Sequence, residues 1–237
     1  MDTKLKLVCE RIDDMLGYAE NIIYGFADLS DDKYLHPSYP YLGKCVVIGV
    51  SLSKSSVSDL LNGISQEYID ECYRANAELD VLAVQVQDIL EDGGYRAKAL
   101  LSSTSDYDPI TYRTDFSHKR AATKAGLGWI GMSGLLVTKK IGSALRLNTV
   151  LTDAPLSTDN EPVRVSECGD CVACMKHCPS NSIKGVLWDR SLDRDDLIDV
   201  KSCYNECVDA ASKVNFEYPL CGKCITSCPF TLKYTQR

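Results

Sequence analysis

The order of apolar patterns predicts an α/β layer over residues 1–155, followed by a small cysteine-rich domain over residues 156–237. Three observations carry that reading. Short runs rich in β-branched residues alternate with stretches of three-and-four apolar spacing up to about residue 152. Residues 154–167 then contain two prolines and several polar residues and show no periodicity, as a boundary does. Beyond it fall nine of the twelve cysteines, seven of them in two blocks of regular spacing.

From the N-terminus, Leu5, Val8, Ile12, Met15, Leu16, Ala19, Ile22 and Ile23 have the spacing of a helix over 4–24 with one buried stripe. Residues 28–43, rich in Asp, Pro and Tyr, read as a loop, with His36 a loop residue. Residues 44–50 form a short continuous apolar run, the pattern of a strand covered on both faces, and Cys45 belongs to its core. A long helix is expected from Gln66 to Asp92, ended by Gly93-Gly94, because glycine takes the left-handed conformation that closes helices. Residues 95–101 read as another strand.

A polar, aromatic loop over 102–116 carries Tyr107, Tyr112, Arg113 and Asp115. Ser117 can cap a short helix running through Ala125, and Gly126 would stop it. In residues 125–131 three glycines alternate with large apolar residues, which lets the backbone approach a flat ligand or turn sharply. Taken on spacing alone, a structural turn packed under Trp129 is the commoner outcome. Residues 135–137 and 144–152 read as two strands about a Gly142-Ser143 turn. In the second, Leu145, Leu147, Thr149 and Leu151 share one face, and Arg146 and Asn148 point to the other. Residues 188–202 form an acidic connector with a short helix between the two cysteine blocks. His118-Lys119-Arg120 could hold a phosphate near a helix N-terminus or form a solvated face.

Composition excludes several classes. With 237 residues, 45% of them hydrophobic and 25% charged, the chain can bury a full core. It has no run of eighteen apolar residues, and no signal-peptide core follows Met1-Asp2-Thr3-Lys4, so neither a membrane span nor export is expected. A cytoplasmic location follows, and so many free thiols suit a reducing compartment and an oxygen-poor habitat. A net charge of −7 speaks against an extended nucleic-acid surface, which would need Lys and Arg in excess.

The first cysteine block, Cys168, Cys171, Cys174 and Cys178 followed by Pro179, has the spacing C-x-x-C-x-x-C-x-x-x-C-P. It resembles bacterial ferredoxins, in which three thiolates hold one [4Fe-4S] cluster and the fourth crosses to a second. That crossing demands a second block, and Cys221, Cys224 and Cys228, closed by Pro229, repeat the spacing. In ferredoxin wiring Cys228 completes the set of Cys168, Cys171 and Cys174, while Cys178 joins Cys221 and Cys224. The second set then lacks one ligand, which Cys203 or Cys207 is placed to provide. Soft, anionic thiolates hold iron in either oxidation state of such a cluster. Two zinc sites are the alternative. Cys9, Cys45 and Cys72 lie in helix and strand patterns and read as structural.

The chain also resembles the epoxyqueuosine reductase family and its shorter relatives. The matching pieces are the Ala-Gly-Leu-Gly-Trp-Ile-Gly run of residues 125–131, then Gly142-Ser143 leading to Leu147 and to Val150 through Asp153, then the two cysteine blocks with a lone cysteine between them. The resemblance is specific from about residue 110 to 230 and only general before that.

This family is similar to reductive dehalogenases. It implies an α/β cobalamin-binding fold related to flavin nitroreductases, joined to a ferredoxin-like double-cluster domain, with Cys203 as the eighth cluster ligand. An external low-potential donor, a ferredoxin or flavodoxin, would feed electrons through the clusters to a corrinoid, or to FMN in the same pocket. Gly126, Gly128, Trp129, Gly131, Gly142, Ser143 and Arg146 would then border the cofactor, and the proton would come from Asp115, Tyr112 or Tyr107.

The family carries an Asp before its Gly-Leu-Gly-Trp segment. Here the stretch after Asp115, residues 116–122, is shorter and of a different type. Family members continue into a helical-repeat domain that grips tRNA, whereas this sequence ends at Arg237, so a small-molecule substrate is expected and a tRNA is the last choice. An electron carrier without an organic cofactor, reducing a partner such as a corrinoid protein, is the second reading.

Overall fold

A computed structural model describes residues 3–30, 35–158 and 160–236. Helix α1 (Thr3–Leu16) leads into strand β1 (Ile22–Asp28) and then β2 (Lys44–Ser51). A short α2 (Lys54–Ser58) precedes the long α3 (Gln66–Asp92) and the brief strand β3 (Ala97–Ala99). Helix α4 (His118–Lys124) follows, then β4 (Trp129–Ile130), β5 (Leu136–Val137) and β6 (Leu145–Thr152). The cysteine-rich part carries α5 (Ala173–Lys176), α6 (Arg194–Leu197), α7 (Val200–Ser212), α8 (Lys223–Thr226) and α9 (Pro229–Thr235). Among the described residues no helix is long and apolar enough to cross a membrane.

The central sheet is mixed in sequence order but antiparallel at every pair, with strand order β1-β2-β6-β3. Both of its faces are buried, which is why β2 reads as an unbroken apolar run. Val46, Ile48 and Val50 face one core with α1 and α3, while Cys45 and Val47 face a second core with α4 and Trp129. Along α3, Ala75, Leu79, Ala83, Val86 and Leu90 are fully buried in the first core. Each large aliphatic contributes about 2 kcal/mol on burial, against fractions of a kcal/mol per residue from helix propensity, so packing is what holds α3. Its predicted bounds are the observed ones. Ser65 accepts from the Tyr68 N–H at the start, and Gly94, at φ +74°, closes the end.

Three expectations change. The first helix ends at Leu16, and Ile22 and Ile23 belong instead to β1, which pairs with β2 from Ile22↔Val50 to Asp28↔Lys44. Apolar residues at 19, 22 and 23 continue the helical spacing by coincidence, although Gly17 and the exposed Tyr18 interrupt it. The strand also overruns the start of the expected loop, of which residues 31–34 lie outside the described residues. Second, the two strands flanking Gly142-Ser143 do not pair with each other. β5 pairs with β4, and β6 lies in the central sheet between β2 and β3. Third, the acidic connector contains α6 and runs into α7, a 13-residue helix that places Cys203 and Cys207 one turn apart.

The cysteine-rich part packs onto the α/β layer through α9 and the segments before it. The Tyr234 hydroxyl donates to the Leu52 carbonyl at 2.7 Å, and Ala211 and Ile225 join the core on the α3 side.

Candidate functional site

The nine cysteines of the C-terminal part lie near one another, with Cys168, Cys171, Cys174 and Cys228 toward one side and Cys203, Cys207, Cys221 and Cys224 toward the other. Burial pushes Cys174 up to about 11, and Cys168, Cys228 and Cys171 lie close enough to add to the rise. Cys228 is raised by burial too, with Cys168 and Cys171 as its neighbours. Cys224 is buried and raised above the usual thiol range, and its neighbours include Cys203, Cys221, Cys174 and Cys178. The Cys207 thiol hydrogen-bonds both Cys203 and Cys221, which draws Cys203 down to about 7 and Cys221 to about 6. Among the described residues no three His, Cys, Asp or Glu groups converge as the ligands of one ion would. The chemistry of these nine thiols suits the eight ligands of two [4Fe-4S] clusters, and Pro229 opens α9 immediately after Cys228.

Beside the second thiol group is a cavity of about 480 Å³, within the range of small-molecule and cofactor sites. α4 and β6 form its floor, the 112–117 loop its rim, and residues 188–197 its far wall. Ile225, which follows Cys224, borders it as well. Lys119 enters from α4. Its Nζ donates to the Gly134 carbonyl at 2.7 Å, and burial lowers it to about 8, with Arg194 acting in the same direction and Cys203 and Cys224 opposing.

Two further groups aim at the cavity from around β6. Arg146 is held by its Nε–H, which donates to Asn76 Oδ1 at 2.9 Å. The Ser143 N–H donates to Thr231 Oγ1 at 3.0 Å, and among the described residues the buried Ser143 Oγ has no hydrogen-bond partner. On the α4 side, His118 Nε2–H donates to the Leu101 carbonyl at 3.0 Å, so Nδ1 accepts from the Thr149 hydroxyl at 2.9 Å. The ring is therefore neutral, and burial lowers it to about 4.

The rim loop is strapped to the far wall. Arg113 donates to Asp193 at 3.0 Å and Asp195 at 2.7 Å, and Arg194 donates to the Tyr112 carbonyl at 2.7 Å and to the Thr111 carbonyl. Tyr112 sits at φ +54°, an unfavourable conformation for a bulky residue, and its ring lies against Tyr204 with centroids 4.6 Å apart.

Of the expected site residues, Asp115, Tyr112, Ser143 and Arg146 border the cavity. Tyr107 is set back, its hydroxyl 3.3 Å from that of Tyr204. The glycines do not border it, because their open sides are filled by the chain itself. A Cβ on Gly128 would stand 2.2 Å from the Val137 carbonyl oxygen, and one on Gly142 2.3 Å from the Thr231 nitrogen. Gly126 abuts Asn160, Gly131 abuts Val137 and approaches Cys168, and Trp129 is buried edge-on to Phe230. Gly126, Gly128, Trp129, Gly131 and Gly142 thus lie outside the cavity lining, each packed against the chain itself.

Lys119, Arg194 and Trp188 were not singled out in the sequence as cavity residues. The signal available for Lys119 was its place in the first turn of a capped helix directly after the loop carrying Asp115.

No family model matches the chain. It is 35% identical over 112 residues to the epoxyqueuosine reductase of Aliivibrio fischeri, covering 46% of this chain and 26% of that protein. It is 38% identical over 78 residues to that of Escherichia coli, covering 33% and 20%. The chain therefore spans about a quarter or less of these relatives' length. In structure it is similar to a catabolic reductive dehalogenase, with TM-score 0.72 at 18% identity, covering 96% of this chain and 33% of that one. It is also similar to an epoxyqueuosine reductase from Bacillus subtilis, with TM-score 0.61 at 16% identity, covering 96% and 66%. The chain is a homologue of the epoxyqueuosine reductases over the matched part, in a mixed α/β fold that they share with reductive dehalogenases.

Proposed function

We propose that this chain is an iron–sulfur reductase in which two [4Fe-4S] clusters deliver electrons to a corrinoid bound in the cavity, which reduces a small molecule. The observation that carries this reading is adjacency. Lys119 lines the cavity and lies within electrostatic reach of Cys203 and Cys224, and Ile225, next to Cys224, lines it too, which supports an electron supply beside the binding site. Cys168, Cys171, Cys174 and Cys228 would hold one cluster, and Cys178, Cys203, Cys221 and Cys224 the other. The unpartnered Ser143 Oγ and the anchored Arg146 suit the amide and phosphate arms of a corrinoid. When bound, that cofactor would supply the reducing metal chemistry, and the protein sets geometry and protons. FMN is the alternative occupant.

Lys119 is the best-placed proton source. Its ammonium is buried, faces the cavity and is tuned toward neutrality, as a general acid should be. Asp115 and Tyr112 stand at the rim, where they can relay a proton or position substrate. The apolar walls, Trp188 and Leu147 among them, keep bulk water out once the loop is closed. Electrons would come from an external low-potential donor. A structure of an epoxyqueuosine reductase with a tRNA-Tyr stem loop shares this fold, but the net charge of −7 places tRNA last among substrates here.

The test is purification without oxygen, metal analysis, then titration with cobalamin and FMN. The reading expects about eight irons per chain and cobalamin binding at micromolar concentration, with cluster-dependent reduction. Zinc or fewer than about six irons would end the cluster claim. No cobalamin binding in either cobalt oxidation state would leave a flavoenzyme or an electron carrier, depending on the FMN result.

A further inference from the structure

The second cluster site has one thiol more than a cluster needs. A four-iron cluster takes four thiolates, and Cys178, Cys221 and Cys224 leave one place to fill. Helix α7 offers two candidates for it. Cys203 and Cys207 are four residues apart, so they share a face with their Cβ atoms about 5–6 Å apart.

Both ends of that face are fixed. Asp199 caps the start of α7 by accepting from the Ser202 N–H, and its carbonyl accepts from the Cys203 N–H at 3.0 Å. The Leu220 N–H donates to the Cys207 carbonyl at 3.1 Å, which pins the segment leading to Cys221 against the second thiol. The Cys207 side chain then lies between Cys203 and Cys221 and hydrogen-bonds both. This is not the surrounding of a bystander core cysteine such as Cys45, which is fully buried in the sheet and on which no other thiol acts.

We propose that Cys207 is a reserve ligand of the second cluster, able to take the iron that Cys203 holds. The exchange is redox-neutral. The iron–sulfur bond to Cys203 breaks, one to Cys207 forms, and the Cys207 thiol proton passes to Cys203 along the hydrogen bond that joins them. It needs only side-chain rotation on a fixed helix. A cluster with such a reserve survives transient loss of one ligand, the step at which an exposed cluster otherwise sheds iron.

The inference rests on the two-cluster reading, so the test separates the two. Chains are reconstituted without oxygen, and iron per chain and the electron paramagnetic resonance of the reduced clusters are measured, with circular dichroism to confirm folding. The wild type, Cys207→Ala and Cys203→Ala are each expected to hold about eight irons, and the Cys203→Ala/Cys207→Ala chain about four. In Cys203→Ala the second cluster's signal should shift while the first is unchanged. Cys203→Ala falling to about four irons, or to a cluster lacking one iron, would overturn the proposal. So would Cys207→Ala losing a cluster that Cys203→Ala keeps, because Cys207 would then be the sole ligand. A wild type with fewer than about six irons would instead overturn the two-cluster reading, and the reserve role with it.

Discussion

Replacing Arg194 by Met should open the rim loop while leaving the rest of the fold intact. The guanidinium, 22% exposed, donates to the carbonyls of Thr111 and Tyr112 and pairs with Asp195 at 2.9 Å. The ion pair counts for little, because Asp195 is 56% exposed and such pairs contribute at most about 1 kcal/mol. The two carbonyl bonds come from a charged donor at a mostly buried site, where each is worth about 1.5–3 kcal/mol, reduced here because loop carbonyls can turn to water. A net cost of about 2–3 kcal/mol follows, since Met keeps the apolar stem in place. At 1.4 kcal/mol per factor of ten, the open loop becomes about 30- to 140-fold more populated. Native-state hydrogen exchange reads this directly. Amides of residues 107–116 should lose that much protection and those of α3 none. A loss under about twofold would refute the strap. The internal bonds of the loop, from the Tyr112 N–H to the Asp108 carbonyl and from the Asp108 N–H to the Arg113 carbonyl, would then suffice to hold it.

Other outcomes follow from the same geometry. Gly128→Ala should cost about 2–3 kcal/mol in denaturant melts, because its Cβ meets the Val137 backbone oxygen, which cannot move aside cheaply. Gly142→Ala should cost more, about 3–4 kcal/mol, since a φ of +67° adds its own penalty to the contact with Thr231. His118 lies at about 4 in the folded chain against 6.5 ordinarily. Its contribution is therefore whole above pH 6.5 and is lost as pH falls toward 4, by up to about 3 kcal/mol, and the wild-type urea midpoint should fall toward that of His118→Gln across this range. Lys119→Gln should cut turnover by about 100-fold or more with both clusters retained, and Asp115→Asn by much less; the reverse order would move the acid to the rim.

The parts legible in the sequence are those whose determinants are local. Ser65 and Gly94 bracket α3, Ser117 caps α4, and the unbroken β-branched run of β2 states that both its faces are covered. β1 was hidden because Ile22 and Ile23 extend a helical spacing whose real end is set by Gly17. α7 was hidden for a different reason. Only Ala211 of its thirteen residues is fully buried, so it has no apolar stripe to read, and its Asp199 cap and thiol contacts hold it instead. The two cysteine blocks were legible because their spacing is itself the signal. The cavity was not, since its walls come from α4, β6, the rim loop and residues 188–197, brought together only by the sheet. The glycines' neighbours were not legible either, because a close backbone approach looks the same in sequence whether the neighbour is a ligand or the chain.

The glycine segment also has a packing task. Gly142 lies against Thr231, and Gly131 lies near Cys168, so both are places where the cysteine-rich part meets the α/β layer. Thr231 is fully buried, its hydroxyl oxygen accepts from the Ser143 N–H, and it sits three residues after Cys228 in α9. Ser143 in turn precedes the strand that carries Arg146. A ligand of the first thiol group is therefore linked by one short helix and one hydrogen bond to the groups that line the cavity. If Cys228 holds a cluster as proposed, its loss would release the first turn of α9, then Thr231, then the Ser143 backbone. The side chains at the cavity are held in place by the segment that follows Cys228.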